Sequence, residues 1–451
     1  MDQLTAGDVW TIVAASLVLF MTPGLAFFYG GMTRVHAALN MILMSFVSIG
    51  LVGVVWVLWG SSMATTPSVI PGIVGNPAGD FGLVSSLKTG DLLSVGFSAT
   101  FAIITVSLIS GSIADRTKFG TWCAFVPLWI TLVYAPLAFM VWADGGVFTE
   151  HGVIGSVRGE AIDFAGGLVV HINAGVAGLV LCLMLGVRKG FGTDPQQRPH
   201  NLPFVMLGAA ILWFGWFGFN AGAATDAAQA GRIWVNTLVC PAAAMLGWLL
   251  TERLRDKHPT TLGAASGIVA GLVAITPACA NVDPGWAIVL GFVSGAACAL
   301  AVGLKYRWGY DDSLDVVGVH LVAGIIGTVA LGFIATPETG QAGLFYGGGF
   351  HQLLAQTVAT VLTMAYTAIM TFVLAWVLKK VMGFRISDRE ELMGIDVSAH
   401  QESAYAFLAG MAETHESETA PEAAGPNSAG RSELSGVAGP ATRPADREPV
   451  G

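Results

Sequence analysis

Eleven stretches of roughly 20 apolar residues, nearly free of charge, dominate this chain: 9–30, 39–62, 92–113, 120–142, 165–187, 202–223, 231–252, 261–280, 285–304, 316–335 and 352–380. A helix of about 20 apolar residues spans the hydrocarbon core of a bilayer. In lipid, only helices and closed barrels satisfy their own backbone groups. The pattern therefore predicts an all-α polytopic membrane protein with eleven transmembrane helices. Composition agrees: charged residues are 11% of the chain, against about 25% in soluble domains. With 58 glycines among 451 residues, the helices are expected to pack closely. No basic patch is present to neutralise phosphates, which argues against nucleic-acid binding. The first apolar run, from Val9 to Tyr29, has an acidic flank and is too long for a signal-peptide core, so it is expected to be a retained first span.

Direction follows from the loop cations. One alternate set of loops holds 15 Lys and Arg, among them Arg34, Arg116, Arg188 and Lys305. The other set holds Lys88, Arg158 and Arg232. The positive-inside rule places the first set in the cytoplasm. The expectation is a multi-pass protein of the inner (plasma) membrane, with an outside N-terminus and a cytoplasmic C-terminus. The net charge of −9 sits almost wholly in residues 386–451, which contribute −8. The final part of that tail is rich in Ala, Pro, Gly, Ser and Glu, a composition that buries too little apolar surface to fold. The five cysteines lie in or at the ends of apolar stretches with no metal-site spacing, and read as packing residues.

Ionisable residues inside membrane spans are costly and mark functional candidates. Few occur here. Asp163 stands at the mouth of the fifth span and His171 within it; Asp315 stands at the start of the tenth and His320 within that. Val170-His171-Ile172-Asn173-Ala174-Gly175 and Val319-His320-Leu321-Val322-Ala323-Gly324 share the pattern V-H-x-x-A-G. Their separation by five spans, an odd number, makes equivalent helices run in opposite directions. That predicts a five-plus-five inverted repeat with one extra C-terminal helix, and a site at the repeat interface where the histidines meet. Either histidine alone reads equally well as a hydrogen-bonded packing residue; the matched pair argues for function. A two-His metal site lacks a third ligand at helical spacing, so neither metal nor cofactor is expected.

Asp163-Phe164-Ala165-Gly166-Gly167-Leu168-Val169-Val170-His171-Ile172-Asn173-Ala174 resembles the signature of the ammonium transporter (Amt/Mep/Rh) superfamily, on its Amt side. Thr22 to Gly31, Gly215 to Gly222, Thr276 to Cys279 and Asp315 to His320 match in order, as do Gly394-Ile395-Asp396, His400 and Ala404-Tyr405. The resemblance covers about residues 5–408. It implies a homotrimer with one conduction path per subunit, and a PII-type signal protein as a cytoplasmic partner. It implies a vestibule of Phe97, Phe101 and Trp142 that recruits ammonium, supported by Asp163. It also implies a gate of Phe101 and Phe219, and a pore lined by His171, His320 and Trp216. One position departs from the family pattern: Ala223 stands where a serine hydroxyl commonly completes the recruitment site. The implied organisation is a transporter domain over 1–383, a cytoplasmic regulatory segment over 384–411 and an acidic disordered tail over 412–451.

These residue types suit ammonium. Ammonium and potassium match in size and charge, but only ammonium can surrender a proton. A pore too apolar for a bare cation rejects potassium. Aromatic faces concentrate the cation, each contributing about 0.5–2 kcal/mol. Exclusion of water then disfavours the charged form. Asp163 reads as an N-cap that orients backbone groups, with direct proton acceptance as the alternative. Neutral imidazoles offer one donor and one acceptor each, a polar track for ammonia that can also relay the released proton. The expected function is thus ammonium transport, and the alternatives are an ammonium sensor using the same pocket and an Rh-type gas channel. An intramembrane hydrolase would need a nucleophile or metal set beside the histidines, and the sequence offers none.

Overall fold

The computed structural model describes residues 4–193 and 199–405. The chain divides into two compact units at Ala404/Tyr405. Of the second, only Tyr405 is described; the expected acidic tail over 412–451 lies outside the described residues.

The first unit is a bundle of eleven apolar helices: α1 (Ala6–Met32), α2 (Val35–Thr65), α3 (Leu92–Ile113), α4 (Phe119–Trp142), α5 (Gly167–Leu185), α6 (Leu202–Ala221), α7 (Ala227–Arg255), α8 (Thr261–Ile275), α9 (Pro284–Trp308), α10 (Val317–Ile334) and α11 (His351–Val381). Among the described residues, ten helices are long and apolar enough to cross a membrane, and α8 is shorter. The expected eighth span, 261–280, is therefore corrected. Pro277 has no N–H to donate into a helix, and the backbone turns irregularly over 276–281 instead. Irregular backbone at this depth is tolerated where it is buried in protein. Here Asn236 Nδ2 donates to the carbonyls of Cys279 and Val282, and Phe164 N–H donates to that of Pro277.

The two halves pack alike. Within the first five helices α1 contacts α2 and α3, α2 contacts α4, and α3 contacts α5; α6 to α10 repeat the scheme as α6 with α7 and α8, α7 with α9, and α8 with α10. The halves join mainly through α1 against α6. Glycine allows that approach: a Cβ on Gly208 would stand 2.4 Å from Phe28 N, and one on Gly215 2.2 Å from Met21 Cγ. The eleventh helix lies across α4, α5 and α10. The fold is a five-plus-five inverted repeat with one added C-terminal helix.

At the end of the bundle that carries most of the cationic loops, several of those cations are not solvated. Arg188 makes 2.8 and 2.9 Å contacts with Asp311 and a 2.9 Å contact with Asp115, and Arg34 also pairs with Asp115. Arg116 is fully buried and donates to Ser313 Oγ and to the carbonyls of Ala114, Ser112, Asp311 and Gly186. Burial raises the carboxyls of Asp115 and Asp311, but Arg188 and its hydrogen bonds outweigh it and hold both below the usual carboxylate value.

Residues after α11 pack against this end. Lys118 N–H donates to Phe384 O, and Ile386 N–H to Arg116 O. A short helix, α12 (Asp388–Met393), starts on a capping box made by Ser387 and Glu390. Buried Glu391 accepts from Arg385 and from Lys189 N–H. Asp396 accepts from the N–H groups of Leu39 and Asn40 at the start of α2, satisfying donors that a helix start leaves free.

Candidate functional site

The two halves bring their histidines together at the centre. Each sits in a π turn, Gly167–Ile172 in α5 and Val317–Leu321 in α10, a wide turn that re-aims side chains and recurs at functional sites. The V-H-x-x-A-G motif now has a packing reason. A Cβ on Gly175 would stand 2.6 Å from Leu321 Cβ, and one on Gly324 would stand 3.0 Å from Ile172 Cγ1. Each histidine's fourth following residue thus meets the other's first following residue. The glycines let α5 and α10 cross closely enough for the rings to face each other. His320 Nδ1 lies 3.3 Å from His171 Nδ1, with ring centroids 5.4 Å apart. Both rings are buried, and among the described residues His171 Nε2 meets no hydrogen-bond partner.

The carboxylates preceding the two motifs are corrected in register. Asp163 stands eight residues before His171, and the residue eight before His320 is Asp312, not Asp315. Asp163 accepts from the N–H groups of Gly167, Leu168 and Val169; Asp312 accepts from Val317 N–H and Ser112 Oγ. Asp315 instead corresponds to Gly166, five residues before the histidine, and both have left-handed backbone, with φ of 65° and 109°. Its carboxylate pairs with Lys305 at 2.6 Å. Burial pushes the Asp312 carboxyl up to about 6, with Lys305 working against it.

Around the histidines lies an enclosed cavity of about 10 Å³, lined by His171, His320 and otherwise by apolar side chains. Its walls obey the repeat. Met21, Leu25 and Phe28 of α1 line one side at i, i+4 and i+7; Leu212, Trp216 and Phe219 of α6 line the other at the same spacing. Such a volume holds about one water-sized molecule. Trp216 stacks on His171 at 5.4 Å with 15° between planes, and its Nε1 donates to Thr276 Oγ1 at 2.9 Å.

Toward the end opposite the cationic loops, the rings form a series. Phe219 and Phe101 stack at 4.2 Å with 14° between planes. Phe101 meets Phe97 and Trp142 edge-on at 4.9 and 6.1 Å. Trp142 is 38% exposed and lines an open recess of about 330 Å³ with Asp163, Glu160 and Asn281; its Nε1 donates to Asp163 O at 2.8 Å. Ala223 is exposed just beyond α6, next to Gly222, where a Cβ would meet the Phe97 ring at 2.4 Å. The sequence-identified residues Phe97, Phe101, Trp142, Asp163, His171, Trp216, Phe219 and His320 thus fall along one line of contacts, with Ala223 at its exposed edge. Sequence reasoning missed Met21, Leu25 and Phe28. Their signal was the matching i, i+4, i+7 spacing in two helices five spans apart. The arrangement can draw a cation to ring faces, strip its water at the Phe101–Phe219 stack, and pass a small neutral molecule beside two imidazoles.

A model of the Ammonium Transporter Family matches residues 9–405. The chain is 51% identical over 433 residues to a Mycobacterium tuberculosis protein named Ammonium transporter, covering 89% of this chain and 90% of that one. It is 46% identical over 411 residues to an Aquifex aeolicus protein of the same name, covering 89% and 93%. Among solved structures it resembles Saccharomyces cerevisiae Mep2, with a TM-score of 0.77, 31% identity and coverage of 85% and 90%. It also resembles a structure described as a Sensor Amt Protein, with a TM-score of 0.80, 26% identity and coverage of 88% and 99%.

Proposed function

The chain belongs to the ammonium transporter family, and we propose that it takes ammonium from the Trp142 recess, deprotonates it at the Phe101–Phe219 stack and conducts ammonia past His171 and His320. The observation that carries this reading is the small closed cavity under stacked rings. A cavity of about 10 Å³ lined mainly by apolar atoms has no room for a hydration shell, and a bare buried ion costs several kcal/mol even after relaxation. Ammonia, neutral and small, enters without that penalty and can hydrogen-bond to an imidazole. Potassium cannot shed its charge and is refused.

Phe97, Phe101 and Trp142 present ring faces and edges at the mouth, and cation–π attraction there contributes about 0.5–2 kcal/mol per ring. Ala223 supplies no hydroxyl, so recruitment relies on rings and carbonyls. Asp163 holds the start of α5 through three backbone N–H groups; burial pushes its carboxyl up to about 7, and those N–H groups favour the ionised form against it. The released proton passes by the imidazoles or leaves by the mouth, and the former makes transport electrogenic.

The positive-inside rule supports a cytoplasmic face at the cationic end, with the first helix starting outside in the cell's inner (plasma) membrane. Family membership supports a homotrimer of the 1–383 domain. It also supports a PII-type protein docking beside the 384–411 segment. The likeness to a Sensor Amt Protein supports a second reading, in which ammonium occupies the same pocket as a signal.

The test is the current evoked by ammonium, methylammonium and potassium pulses on proteoliposomes adsorbed to a solid-supported membrane. A saturable ammonium current with none for potassium is expected. No current together with no change in internal pH would overturn transport and leave the sensor reading.

A further inference from the structure

Thr276 ends α8 at the irregular turn, and its hydroxyl is buried between two partners. It accepts from Trp216 Nε1 at 2.9 Å and donates to Leu272 O at 2.8 Å. Asn220 Oδ1 lies 3.5 Å away, and Asn220 Nδ2 donates to Thr237. Trp216 is 2% exposed, so a buried indole N–H without this acceptor would remain unsatisfied. The indole lies parallel to the His171 imidazole, and also contacts Phe219 at 5.3 Å. Among the described residues His171 Nε2 meets no hydrogen-bond partner; that edge of the imidazole is held by packing. The equivalent position in α1 is Leu25, which has no N–H to anchor.

We propose that Thr276 is a positioning residue for His171: its hydroxyl fixes the plane of the Trp216 indole, and the indole fixes the plane of the imidazole. The inference rests on the transport reading above. Thr276 caps the C-terminus of α8 with helical backbone, φ −50° and ψ −51°, and its N–H still bonds to Leu272 O, so the end of the helix carries the hydroxyl to the indole N–H.

The test is a set of full-length proteins in proteoliposomes on a solid-supported membrane: wild type, T276V, T276S, W216F and the W216F/T276V double variant. Valine keeps the shape and removes the hydroxyl; serine keeps the hydroxyl; phenylalanine keeps a ring and removes the N–H. T276V is expected to lower the maximal ammonium current about tenfold, less than the roughly hundredfold that a misplacement of about 1 Å can cost. Its half-saturating ammonium concentration should stay near wild type, because recruitment occurs at the distant mouth. T276S should stay within about twofold of wild type, and T276V should add nothing in the W216F background, as a coupled pair requires. A merely structural role for Thr276, through Leu272, would lower the current equally in both backgrounds and overturn the proposal. Should T276V fail to assemble, W216F decides alone: wild-type current in W216F overturns the proposal. Absence of current from the wild type would instead remove the transport reading, and the inference with it.

Discussion

His171 Nδ1 and His320 Nδ1 point at each other across 3.3 Å. Two neutral imidazoles can hold that contact only in opposite tautomers: one ring donates its Nδ1–H and the other accepts it. The first ring then shows a bare Nε2 acceptor and the second an Nε2–H donor. A small molecule in the cavity meets one of each, as ammonia requires. His171→Ala or His320→Ala should break this arrangement and either abolish ammonium flux or admit potassium. Solid-supported membrane currents in ammonium and in potassium check this, and wild-type flux with wild-type selectivity in both variants would exclude the paired rings from the mechanism.

The Phe101–Phe219 stack, 4.2 Å between centroids, should be the main barrier to water. Phe219→Ala removes a ring that is 1% exposed and leaves a cavity, at a stability cost of about 3–5 kcal/mol. Stopped-flow shrinkage of proteoliposomes under osmotic shock should then show faster water loss than wild type, with reduced discrimination against potassium.

Asp163→Ala strands three buried N–H donors, each costing about 1–3 kcal/mol when left unsatisfied. The variant should unfold at lower temperature in detergent and carry no ammonium current. Asp163→Asn keeps one acceptor oxygen and should recover part of the thermal stability, with transport still impaired because an amide NH2 group replaces the second acceptor oxygen at the start of α5. Equal melting temperatures for the Ala variant and the wild type would refute the capping role.

Arg188 is shared by two buried carboxylates, Asp115 and Asp311. Arg188→Ala leaves both without their main partner and should destabilise the protein by about 3–5 kcal/mol. Both carboxyls have folded values below their unfolded ones. Their contribution is therefore complete above the unfolded value of about 4 and is lost as pH falls through the folded values. Melting curves of wild type should be flat in this respect near neutrality and fall below about pH 4. In Arg188→Ala the variant's deficit should shrink in that acid range.

Asp396 holds the segment after α11 to N–H groups in the first α-helical turn of α2, which begins at Ala38. Loss of such a cap typically costs about 0.5–2 kcal/mol. Asp396→Ala should expose the chain around Arg385 and Arg389 to trypsin, read as faster appearance of a fragment lacking the C-terminal segment. Unchanged cleavage kinetics would show that the other contacts of Glu391 and Phe384 suffice.

The spans were legible because lipid imposes one rule on every apolar run, and the limits of α3 at 92 and 113 fall where the sequence puts them. The end of α8 was not, since 276–280 remains nearly as apolar as the helix before it; only Pro277 signals the stop. The paired histidines were legible from their shared motif. The partner of Asp163 was misassigned, because Asp315 lies nearer the apolar run whereas only the eight-residue spacing identifies Asp312. Arg116 and Arg188 look like ordinary loop cations in the sequence. Their carboxylate partner Asp311 lies over 120 residues away in the chain, and folding alone brings them together and removes the water.

Along the two matched cavity walls of α1 and α6, the position held by Leu25 in the first half is held by Trp216 in the second. In a pore with identical walls, the two placements of the proton shared by His171 and His320 would be degenerate, each equally populated. A single indole lying against His171 alone lifts that degeneracy. An aromatic contact worth about 0.5–1.5 kcal/mol would favour one placement by roughly two- to tenfold. The duplicated helices thus supply the twin rings, and one unduplicated side chain tells them apart.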